Sequence, residues 1–151
     1  MLGTLNRAQI DNLLVSQVHG RLGFTDNGKT YIIPLTYAYD GECIHVHTIE
    51  GLKINAMRRN PNVCFQVEQI DDMAHWQCAL VWGTYEELKE DDAEDSLQLL
   101  INRVHPLMTS DTCRPKHGLD KQRHSRDSKS PVTFRIRVEN VSGRFEKRVN
   151  Y

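Results

Sequence analysis

No apolar run in this chain comes near the ~20 residues needed to span a bilayer. The first residues, MLGTLNRAQIDNLLVSQ, carry no basic segment followed by a continuous apolar stretch, so no secretory signal is read there. Together these two absences lead us to expect a cytoplasmic protein that is not anchored in a membrane. Basic excess is also missing. Lys and Arg number 19 against 20 Asp and Glu, giving a formal net charge of −1, which argues against a general nucleic-acid binder. Cysteine is sparse and unpaired in sequence: Cys43, Cys64, Cys78 and Cys113 form no C-x-x-C, and three of them fall in apolar strand-like runs. Free thiols in a reducing compartment are the expectation. There is no G-x-G-x-x-G, no Walker A, no H-E-x-x-H, no G-x-S-x-G and no internal repeat.

What is present is a globular composition, 39% hydrophobic and 26% charged over 151 residues, the size of one domain. Residues 6–16 space Ile10, Leu13 and Leu14 at helical intervals behind a cap at Asn6 or Thr4. Residues 20–24 form a short strand, Asp26-Asn27-Gly28-Lys29 a hairpin, and residues 30–39 a β-branched and aromatic second strand. Pro34 interrupts that strand. It cannot donate to a ladder, so the position is an edge, a bulge or a place where another group meets the backbone.

After Asp40-Gly41, residues 42–47 form a third strand with Ile44 and Val46 on one face and Cys43, His45 and His47 on the other. A tight loop, Thr48 to Gly51, leads into a helix over residues 52–59, which Asn60-Pro61 stops. Residues 62–69 and 76–88 are two more strands, the second with a bulge expected at Gly83. Residues 91–104 form an amphipathic helix with acidic residues at its start. Residues 105–130 are polar and aperiodic, a long loop. Residues 132–141 make a sixth strand that continues or bends through 142–145. The pattern predicts one mainly β (β+α) domain over 1–151, a six-stranded antiparallel barrel with a short crossover helix and peripheral helices.

Three places carry candidate chemistry. Gly51, Leu52 and Lys53 open a helix directly after a strand, where free backbone N–H groups make an anion site. Thr48 can add a hydroxyl, Gly51 lets the backbone come close, and a first-turn lysine opposes the helix dipole unless an anion sits there. Local chemistry alone favours the plainer reading, with Lys53 a solvated helix residue and Gly51 an ordinary loop glycine. His45 and His47 share a strand face, but two ligands do not make a metal site, and none is expected; Cys113 and His117 are a similarly incomplete pair. The basic loop from Arg114 to Lys129 holds no aromatic residue to stack bases and reads as solvated.

The series Pro34, Tyr37, Tyr39, Asp40, then His47-Thr48, Gly51, Lys53, Asn60-Pro61, Val63 and Phe65, in that order, resembles the pyridoxamine-phosphate-oxidase-like family of FMN-binding split barrels. Within it the chain looks most like the nitroimidazole-resistance branch. Trp76 to Gly83 also resembles the family's next strand, with Cys78 where Ser or Thr is usual. The resemblance implies a homodimeric split barrel with FMN at the interface. It implies that Thr48, Gly51, Leu52 and Lys53 hold the FMN phosphate. It implies that the backbone of Pro34, Leu35, Thr36 and Tyr37 runs along the ring, with His47 beside it as the candidate catalytic proton donor. Trp76 and Cys78 would approach from a neighbouring strand, that of the partner included. The implied function is an FMN-dependent oxidoreductase acting on a small molecule, a nitroaromatic among the candidates. The alternatives are a non-catalytic flavin- or haem-binding storage protein on the same scaffold, and a pyridoxamine-phosphate oxidase. Leu52 stands where the oxidases proper have an arginine, and RFEKRVNY at the end does not match their substrate-gripping segment.

Overall fold

The computed structural model describes residues 1–110 and 129–149. The elements run β1 (Leu2–Thr4), α1 (Arg7–Ser16), β2 (His19–Asp26), β3 (Lys29–Thr36), β4 (Ala38–Tyr39), β5 (Cys43–Ile49), α2 (Leu52–Arg59), β6 (Asn62–Asp72), β7 (His75–Glu87), α3 (Glu90–Val104) and β8 (Pro131–Lys147). The strands form one antiparallel sheet in the order β3-β2-β6-β7-β8-β5-β4, with β1 added to the far half of β8. β3 and β4 are consecutive in the chain yet lie at opposite ends of that order. The sheet therefore curls until its two edges are neighbours, and it stays open between them: a split barrel.

Among the described residues eight strands replace the expected six, for two local reasons. The run at residues 30–39 breaks at Tyr37, whose N–H turns away to bond Val18 O at 2.9 Å. The chain start also pairs as an extra strand, Leu2–Thr4 against Arg144–Glu146. Pro34 lies on β3, an edge strand that among the described residues pairs only with β2, which is where its missing donor does no harm. Asn27 and Gly28, at φ 50° and 78°, make the β2–β3 turn. The ladder between β7 and β8 slips at Trp82/Gly83, as expected of a bulge. A Cβ on Gly83 would stand 2.3 Å from Arg137 O, so only glycine fits where the two strands close up.

Inside the barrel lie Leu22, Phe24, Ile44, Val46, Phe65, Val67, Val81, Phe134 and Ile136, all buried. α1 closes one end with Ile10, Leu13 and Leu14; α2 contributes Ile54, Ala56 and Met57 at the other. α3 packs on the outward face of β5, so that strand is covered on both sides. His45, 6% exposed, spends both ring nitrogens there, Nδ1 with Ser96 Oγ and Nε2 with Asp40 Oδ2, each at 2.7 Å. Among the described residues no helix is long and apolar enough to cross a membrane.

Candidate functional site

The junction of β5 and α2 is built by two anchors and an opening. β5 pairs with β8 up to Ile49 opposite Pro131, and the Glu50 N–H then donates to Ser130 O at 3.0 Å. The Glu50 carboxylate is held by Arg58 Nη1 at 2.8 Å. Gly51 is extended, at φ 171° and ψ −163°, and caps α2 with no side chain. The first helical bond runs from Asn55 N–H to Gly51 O at 3.1 Å, so the N–H groups of Leu52, Lys53 and Ile54 precede it. No acidic side chain lies in that first turn, and among the described residues beyond its chain neighbours nothing comes within 4 Å of where a Gly51 Cβ would be. The helix start therefore offers donors, partial positive charge and room.

Lys53 reinforces that charge. It is half-buried, and among the described residues no carboxylate pairs with it. Burial, and then the like charge of Lys129, hold its ammonium below the ordinary 10.5. A desolvated cation beside a second cation is an unfavourable arrangement that an anion relieves. Thr48, 6% exposed, pairs with Val132 and so faces the barrel interior; His47 pairs with Thr133 on the opposite face. His47 Nδ1 lies 2.9 Å from Thr133 Oγ1. Leu52 is 53% exposed and adds no charge.

The remaining sequence candidates fall elsewhere. Pro34, Leu35 and Thr36 sit along the β3 edge, with Thr36 Oγ1 3.2 Å from His19 Nδ1. Tyr37 is wholly buried; its ring meets Phe65 edge-on at 5.1 Å and its hydroxyl donates to Leu14 O at 2.6 Å. Burial drives that phenol well above its usual range. Trp76 and Cys78 lie at the start of β7, the 13-residue strand whose other end, Glu87, bonds Arg58. Trp76 is thus about 36 Å of chain from the α2 end, at roughly 3.3 Å per residue. It lines a cleft of about 430 Å³ under α1 with Leu5, Gln9, Gln77 and Phe145. Within one chain, Thr48 to Lys53 come together with Lys129, whereas Trp76 and Cys78 do not join them.

Arg58 and Arg59 are both engaged in ion pairs, Arg58 with Glu50 and Glu87 and Arg59 with Asp26 at 2.7 Å. Among the described residues no group of three His, Cys, Asp or Glu side chains could hold a metal ion, so the His45/His47 pair stays without further ligands there. Cys113, His117 and the basic loop short of Lys129 lie outside the described residues. Sequence reasoning treated Lys129 as a loop cation; its neighbour Lys53 is distant in sequence, and no spacing links them.

Comparison with known proteins adds the family. An uncharacterized protein of Rhizobium meliloti is 30% identical over 84 residues, 56% of each chain, so this chain spans about half the length of that relative. An FAD-binding protein from Mesorhizobium loti superposes with a TM-score of 0.75 at 29% identity, covering 98% of both chains. A Bacteroides thetaiotaomicron protein assigned to 5-nitroimidazole antibiotic resistance shares the fold at 16% identity, TM-score 0.68, covering 96% of this chain and 89% of its own. The family model for pyridoxamine 5′-phosphate oxidase matches residues 6–145. Matched over residues 6–145, this chain belongs to the pyridoxamine 5′-phosphate oxidase family, with the split-barrel fold.

Proposed function

We propose that this chain is an FMN-binding flavoprotein that reduces a small molecule, a nitroaromatic among the candidates. The observation that carries the reading is the open start of α2: three early N–H groups, no side-chain cap, no acid in the first turn, and a half-buried lysine that no carboxylate among the described residues pairs with. The phosphate of FMN is the matching anion. Lys53 and the N–H groups of Leu52 and Lys53 hold it, with the Thr48 hydroxyl close by and Gly51 leaving room. Lys129 supplies a second positive charge where Leu52 supplies none.

The bound flavin supplies the redox chemistry; the chain supplies binding, orientation and electrostatics. The β3 edge from Pro34 to Thr36 would carry the ring along its open side, with the buried Tyr37 anchoring the end of that edge through its bonds to Val18 O and Leu14 O. His47, oriented through Nδ1 by Thr133, holds a proton near the ring. The outer sheet face, where Ile32 and Trp82 stand exposed, is where a second copy docks, making a homodimer. Docking there gives Trp76 and Cys78 a route to the partner's flavin that they lack within one chain. The relative from Mesorhizobium loti is described as FAD-binding, which favours a flavin and leaves FMN as our choice.

The test is the visible absorption spectrum of purified protein, followed by release and identification of the flavin. We expect a yellow protein that yields FMN. Protein that is colourless, and stays so after incubation with FMN and FAD, overturns the reading. NAD(P)H consumption that depends on an added nitroaromatic distinguishes the reductase from a storage protein.

A further inference from the structure

Glu50 is a carboxylate inside the loop assigned to a phosphate. By charge alone it is misplaced, because it lies directly between Thr48 and the donors of α2. Its geometry gives it a different use. Arg58 Nη1 donates to Glu50 Oε1 at 2.8 Å, while Nε and Nη2 grip both oxygens of Glu87 at 2.9 and 2.7 Å. Tyr85 OH adds a 3.3 Å bond to Glu87 Oε2. One guanidinium thus joins the loop before α2, the last turn of α2 and the end of β7. The same loop is fixed on its backbone side by the Glu50 N–H bond to Ser130 O.

We infer that Arg58 is a positioning residue for the anion site, acting through Glu50: it sets the β5–α2 loop so that the open N–H groups face one point. The inference rests on the phosphate reading given above. Arg58 also neutralises Glu50, so the carboxylate orients the loop without repelling the ligand. The planar fork explains why an arginine stands here: a lysine ammonium cannot grip one carboxylate with two N–H groups and reach a second. The pairing holds the Glu87 carboxyl below its ordinary range, as expected for a bridge formed in the free protein.

The experiment measures the ratio of FMN to riboflavin affinity by flavin fluorescence, since the two ligands differ only in the phosphate. Three variants are compared with the parent: Glu50→Gln, Arg58→Ala and the double change. Circular dichroism and the thermal midpoint check the fold. Electrostatics alone predicts that Glu50→Gln raises the ratio, because a negative charge has left the anion's surroundings. Positioning predicts the opposite sign: a fall of at least about fivefold, a similar fall in Arg58→Ala, and a double variant no worse than the singles. An unchanged or raised ratio in Glu50→Gln overturns the positioning role and leaves the phosphate site standing. A parent protein that binds riboflavin as tightly as FMN overturns the phosphate site itself, and the inference with it.

Discussion

α1 and α2 begin in opposite ways. α1 is closed by a capping box: the Asn6 side chain accepts from Gln9 N–H at 2.9 Å, and Gln9 Oε1 accepts from Asn6 N–H at 2.8 Å. α2 has Gly51 at the same position, no side-chain bond, and a lysine in its first turn. A third helix, α3, also lacks a side-chain cap but places Glu90, Asp91 and Asp92 against its dipole. Of these three, and among the described residues, α2 alone leaves its positive end unanswered and adds to it. A start closed locally serves stability; an open one has donors and positive charge to offer an anion.

Giving α2 what α1 has is the strongest way to break that contrast. Gly51 is extended, and nothing lies within 4 Å of its Cβ position, so Gly51→Asp fits without strain. The new carboxylate caps the helix and faces Lys53. Stability of the ligand-free protein should rise by about 0.5 kcal/mol. FMN affinity should fall by roughly a hundredfold or more, as like charges meet in a confined site. A more stable protein with undiminished FMN binding would show that the open start of α2 is not the phosphate site.

Removing the lysine is the next largest change. Lys53→Ala should weaken FMN by roughly tenfold to a hundredfold, the value of one charge-assisted bond, and leave riboflavin unaffected. The thermal midpoint of the free protein should hold or rise, because Lys53 is desolvated, has no carboxylate partner among the described residues and feels the like charge of Lys129. A midpoint that drops sharply would make Lys53 a structural residue. At the other helix the pattern reverses. Asn6→Ala should cost about 1 kcal/mol, near 3 °C in midpoint, and leave flavin affinity untouched. Calorimetry beside a binding titration separates the two helix starts.

Most of the fold was legible, and so was half of the site. α2 runs over Leu52–Arg59 as its pattern predicts, because Gly51 and Asn60-Pro61 bound it on both sides. The edge position of Pro34 and the bulge at Gly83 follow from what proline cannot donate and what glycine alone can fit. The short first strand was not legible: Leu2–Thr4 is set by pairing with Arg144–Glu146 at the other end of the chain, and a three-residue run carries no period. The same limit applies to the site. Thr48, Gly51 and Lys53 are local, so the sequence alone singles them out as candidates. The bridge from Glu50 through Arg58 to Glu87 closes only when α2 meets the end of β7, and Lys129 reaches Lys53 only across the β5–β8 ladder. Sequence distance hid both.

The smallest effect is a pH dependence, and it sharpens the contrast because the α2 start carries a lysine whereas the Asn6 cap of α1 carries no charge. In the free protein the Lys53 pKa lies below 10.5, driven down first by burial and then by Lys129. A lysine depressed in this way costs stability while it is charged. The cost is present at neutral pH and fades as pH rises between the lowered value and 10.5. A bound phosphate reverses the sign: it favours the ammonium and raises its pKa, so binding in that window takes up a proton. FMN affinity should therefore fall as pH climbs through the window short of 10.5. Riboflavin, which shares any ionisation of the ring but has no phosphate, should not show this part of the fall. Lys53→Ala should bring the two profiles together, while Asn6→Ala, which removes no titrating group, should leave the gap between them as it was. Parallel profiles in the unaltered protein would mean that Lys53 does not meet the phosphate.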